Sequence, residues 1–74
     1  MTAEEWLTAF AYEIGVPAPD REQMDEILRL AAVAAHASER IAAPIACYLT
    51  GASGRSLADG LEAAERVRPV AEPG

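Results

Sequence analysis

Large apolar residues return every three or four positions along most of the chain, which is the spacing of an amphipathic helix and not the alternation of a strand. Over residues 3–14, Ala3, Trp6, Leu7, Phe10 and Ile14 recur at that spacing and bring the two largest side chains onto one face. Thr2 with Glu5 three residues later is a capping-box pair for the start of this helix. Gly15 suits the left-handed residue after a helix end, and Pro17 and Pro19 resist continuation. A second helix is predicted over 20–40, opened by Asp20 with Gln23 as cap and partner. Its buried stripe is expected at Met24, Ile27, Leu28, Ala31, Ala34, Ala35 and Ser38, flanked by Leu30 and Ile41. The opposite side carries Glu22, Glu26, Arg29, Val33, His36 and Arg40, part of which reads as a solvated charge ladder.

Pro44 interrupts the pattern and is placed at the first turn of a third helix, 44–53, where its missing N–H costs nothing. Ile45, Tyr48, Leu49 and Ala52 form the apolar face of that helix, and Gly54 stops it. Its small residues Ala43, Ala46, Gly51 and Ala52 would let a neighbouring backbone come close. Ser56 and Asp59 make a third capping-box pair and open a fourth helix, 56–68, with Leu57, Leu61, Ala64 and Val67 inward and Pro69 at its end. Val70–Gly74 has nothing to bury and is expected to fray. Short links and a sequential order of helices predict a compact, single all-α domain spanning residues 1–74, with no repeat and no internal linker.

Composition sharpens this picture. The chain has 74 residues, 51% hydrophobic and 24% charged, and Ala fills about a quarter of it, which favours helix. A domain so small buries only about 60% of its unfolded surface, so its core is thin. Trp6 and Phe10 are therefore assigned to the core together with Leu28 and Leu49, because four aromatics are barely enough to fill one. Twelve acids against six basic residues, all Arg, leave a net charge of −6. Nucleic acid, which requires clustered basic residues, is not an expected partner. No apolar run approaches the roughly 20 residues that span a bilayer, and the first residues lack the basic start and apolar stretch of a signal peptide. No membrane association and a cytoplasmic location are expected.

Candidate chemistry is sparse. His36 is the sole His and has no Ser or Cys three or four residues away, so it lacks the nucleophile and orienting acid of a catalytic base. One His and one Cys cannot supply a zinc ligand set, and no cofactor is expected. His36 is read first as a residue that helps satisfy carbonyls at its helix end. His36 and Arg40, one turn apart and followed by the helix start at Pro44, could together hold a carboxylate or phosphate. Cys47 on an Ala-rich helix is read as a small buried hydrophobe, with no nearby cation to activate it. Ser56-Leu57 invites comparison with the phosphopantetheine serine of acyl carrier proteins, also small, acidic and four-helical. Arg55 stands where that motif has Asp, and Ser56 is better read as a helix cap.

The stretch from Ala35 to Arg55, with its His-x3-Arg-x-Ala-Ala-Pro core, resembles the small all-helical bacterial proteins of the DUF6457 family. The resemblance is carried by Trp6, Leu7, Ile14-Gly15, Asp25, Leu28, Ala35-His36, Arg40, Ala42-Ala43-Pro44, Leu49 and Gly51. Ile41 stands where the family often has Pro, and Asp20–Glu26 matches loosely. Members occur alone or fused behind a molybdenum-cofactor guanylyltransferase, and stand-alone members often carry the label of molybdopterin-guanine dinucleotide biosynthesis. The resemblance thus implies a non-catalytic accessory or interaction domain whose partner is such a transferase, a molybdoenzyme or the cofactor's phosphates. It marks His36, Arg40 and Pro44 as the positions to test. The chain itself has no Gly-rich nucleotide loop and is not expected to be an enzyme. The alternative is a homo-oligomeric helical module without a cofactor link, in which a second copy extends the thin core.

Overall fold

The computed structural model describes residues 1–67, and it shows one all-α domain of four helices: α1 (Ala3–Ile14), α2 (Arg21–Ala37), α3 (Ala42–Ser53) and α4 (Leu57–Arg66). The expectations for residues 68–74, the last residue of the fourth helix and the frayed tail, lie outside the described residues.

Local chemistry sets the helix ends. At α1 the capping box is complete: Glu5 N–H donates to Thr2 Oγ1 at 3.1 Å, and Thr2 N–H donates to Glu5 Oε1 at 2.7 Å. Gly15, at φ 77°, ends the helix, and the Val16 N–H reaches back to the Ala11 carbonyl at 3.0 Å. Asp20 and Gln23 form the same reciprocal pair at α2, at 2.8 and 2.9 Å. At α4 only half of the expected box exists: Asp59 N–H donates to Ser56 Oγ at 3.0 Å, and no return bond from Asp59 accompanies it.

Three helix ends differ from the sequence expectation: α4 stops at Arg66, not at residue 68, and Val67, expected to face inward, is extended and 72% exposed. α2 stops at Ala37, not at residue 40, because Ser38 turns the chain and takes the Ala34 carbonyl with both its N–H, at 3.2 Å, and its hydroxyl, at 2.9 Å. α3 begins at Ala42, two residues before Pro44. Proline is accommodated throughout a first turn, whose N–H groups have no intrahelical acceptor, so Pro44 sits third in the helix.

The core is built around α2, which packs on α3 along one flank and on α4 along the other. Leu30, only 1% exposed, is its centre. Burial on two flanks draws in Glu26 and Val33, which the one-stripe reading had placed outside, and leaves Leu28 at 63% exposure. Cys47 on α3 meets α2, its Sγ 4.0 Å from the Ile27 carbonyl oxygen. α4 approaches α3 closely at Gly60, where a Cβ would lie 2.5 Å from Thr50 Cγ2.

α1 contributes one buried residue, Ala11 at 6% exposure, and is otherwise largely open. Arg21 joins it to α2 through a 2.9 Å ion pair to Glu4, and Leu7 and Met24 line the same corner. Trp6 (52%) and Phe10 (45%) remain exposed, as do Leu28 and Leu49, so the expected four-residue core is corrected. The reason is geometric: α3 and α4 already occupy both flanks of α2. The molecule measures 50 × 25 × 19 Å, twice the roughly 25 Å length of α2 in its long dimension.

Candidate functional site

The three residues marked by the sequence lie on consecutive segments at one end of α2. His36 is in its last turn, Arg40 in the Ser38–Ile41 connection and Pro44 in the first turn of α3. All three are exposed. The end of α2 at Ala37 removes the shared helix face on which His36 and Arg40 were expected. No hydrogen bond or ion pair joins the three residues. His36 does not cap the helix either, since Ser38 supplies the hydrogen bonds to Ala34. The ion pairs among the described residues are Arg21–Glu4 and Arg21–Asp25, the latter at 3.6 Å, so Arg29 joins no charge ladder there. α3 has no side-chain cap, because its N-cap residue is Ile41.

A cleft of about 340 Å³ opens near this end, lined by Val33, Ala37, Ala42, Ala46, Ala64 and Val67. Its one polar liner is Ser38, whose hydroxyl is already committed to Ala34. Such a surface can exclude water from an apolar group but has no polar contacts to orient a small molecule. Cys47 is half-buried, and burial pushes its thiol above the ordinary range, away from a reactive thiolate. Among the described residues no group of three His, Cys, Asp or Glu side chains could hold a metal ion, and no helix is long and apolar enough to cross a membrane.

The surface that the sequence assigned elsewhere is apolar. On α1 the Trp6 and Phe10 rings stack with centroids 5.0 Å apart and planes 18° from parallel. Ile41 (72%), just before α3, and Ile45 (57%) and Leu49 (59%) on it face solvent in a row. The helical spacing of Trp6, Phe10 and Ile14, and of Ile45 with Leu49, was plain in the sequence, whereas Ile41 was read as flanking the α2 stripe; spacing marks an apolar face without saying what covers it.

Fold and surface thus define a small all-α domain with exposed apolar helix faces. The family model of the domain of unknown function DUF6457 matches residues 1–73, and the chain belongs to that family. No curated protein and no solved structure matches the chain.

Proposed function

We propose that this chain is a non-catalytic protein-interaction domain. The observation that carries this reading is the pair of exposed apolar helix faces, above all the Trp6–Phe10 stack at about half exposure. Isolated exposed apolar residues are ordinary, but contiguous rows on two helices are the signature of a surface that a partner covers. Beside the Ile41 row, the solvent-facing His36 and Arg40, with Pro44, supply a junction at which the partner can be recognised. The link to molybdenum-cofactor maturation rests on the family resemblance alone. It names a cofactor guanylyltransferase or a molybdoenzyme as the partner, in the cytoplasm.

Calorimetric titration of the chain into a purified guanylyltransferase tests that link. Binding is expected, and Arg40→Ala should weaken it by roughly 1–3 kcal/mol through loss of a charged hydrogen bond. The same substitution should shift folding stability by no more than about 0.5 kcal/mol, since Arg40 is exposed and makes no ion pair. Absence of binding to both the transferase and molybdoenzymes would remove the cofactor link.

A further inference from the structure

The aromatic stack on α1 lies between two carboxylates. Glu13 follows Phe10 by three residues and Trp6 by seven, so it stands on the same helix face. Glu5 stands at the other end of a shallow depression whose lining includes Glu5, Trp6, Ala9, Phe10, Tyr12 and Glu13. The two acids are separated by about 12 Å along the helix. α1 contains no Lys or Arg, and the chain has no Lys at all. Arg21 of α2 pairs with Glu4, whereas Glu5 and Glu13 join no ion pair among the described residues. Glu5 Oε1 accepts the Thr2 N–H, which fixes this carboxylate without neutralising it.

These charges decide what can cover the rings. A second copy laid α1 to α1 would bring carboxylate against carboxylate, and each copy carries a net charge of −6. A wholly apolar segment would cover Trp6 and Phe10 but strip water from two carboxylates without pairing them, which costs free energy. A helix with Arg or Lys beside its apolar stripe avoids that cost. Its stripe covers the rings, its cations meet Glu5 and Glu13, and a guanidinium over the Trp6 ring gains a cation–π contact. Charge complementarity of this kind contributes more to specificity than to affinity.

We propose that this face of α1 docks a basic amphipathic helix of a partner protein, with two Arg or Lys residues about 12 Å apart beside its apolar stripe. This rests on reading α1 as an interaction surface and names the chemistry of what covers it.

Titration of the full chain with synthetic helical peptides tests the proposal, read by the emission of Trp6, the one tryptophan. The peptides share one leucine stripe, lack Trp, and differ only in carrying Arg, Gln or Glu at the two flanking positions. The Arg peptide is expected to move the emission to the blue and to bind about fivefold to tenfold more tightly than the Gln peptide, as two exposed ion pairs supply. The Glu peptide should bind more weakly than either. The preference for Arg over Gln should shrink as salt is raised to about 1 M. Glu5→Gln and Glu13→Gln should each lower that preference about twofold to threefold. Both substitutions suit the fold, since Gln serves a capping box as Glu does and Glu13 is exposed. Glu62→Gln, at an exposed position of α4, changes net charge equally and should leave the preference intact. Equal binding of the Arg and Gln peptides overturns the proposal and leaves α1 an apolar interaction face. Unchanged Trp6 emission with every peptide overturns both readings. An equal loss in Glu62→Gln also overturns the proposal, because net charge would then act in place of the α1 face. The comparison of peptides on the unsubstituted chain decides even if a variant fails to fold.

Discussion

Leu28 and Leu30 stand two positions apart on α2 and meet opposite fates. Leu30 is enclosed where α2 faces its two neighbours, so Leu30→Ala should cost about 2–5 kcal/mol, enough to unfold a domain this small. Leu28→Ala, on the open side, should stay within about 0.5 kcal/mol when both variants are compared by urea titration. Two helical glycines divide in the same way. The site of a Gly51 Cβ is open space, and Gly51→Ala should stabilise by roughly 0.5–1 kcal/mol through helix propensity. At Gly60 the added methyl meets Thr50, which is held by its hydroxyl bond to the Ala46 carbonyl at 2.9 Å. Overpacking of about 1–3 kcal/mol should cancel or exceed the propensity gain there, and adding Thr50→Ala should restore it. Equal stabilisation by both glycine substitutions would show that α4 does not approach α3 so closely. Cys47 provides a pH test. Burial raises its thiol pKa in the folded chain, so its contribution is full below the unfolded-state thiol pKa and is lost as pH rises toward the folded value. Disulfide-exchange labelling of folded Cys47 at neutral pH should therefore be slower than that of the unfolded chain.

At the scale of elements, α2 supports the other helices, and its start depends on one reciprocal cap. Asp20→Ala removes the acceptor for the Gln23 N–H and should cost about 1 kcal/mol, measurable as a lowered melting temperature. Capping and stop signals are local, which is why Thr2, Gly15, Asp20, Gly54 and Ser56 could be read directly from the sequence. The α2–α3 connection was harder to read because its signals conflict. Helical spacing continues through Arg40, and Pro44 reads as a helix start, yet Ser38 ends one helix early and the next begins at Ala42. The candidate site suffered from that conflict, since His36 and Arg40 share a face only if α2 continues between them.

At the scale of the whole molecule, packing divides the chain into a core of α2, α3 and α4 and an α1 whose one buried residue is Ala11 and whose ion pair to α2 is exposed. The Glu4–Arg21 pair is solvent-exposed, and pairs of that kind contribute about 0–1 kcal/mol. Hydrogen exchange should therefore find α1 amides far less protected than those around Leu30 in dilute solution. Uniform protection across all four helices at every concentration would contradict this division.

The sequence by itself determined the four helices, most of their caps and the apolar identity of each face, because propensity, capping and 3.6-residue periodicity act within a few residues. Only the tertiary structure decided which apolar faces meet. It placed Leu30 at the centre, directed the close approach to Gly60 instead of Gly51, and left Trp6 and Phe10 in the open. The physical reason is that hydrophobic burial is non-directional. An apolar stripe specifies that something must cover it, and only the arrangement of the remaining helices determines whether the same chain can.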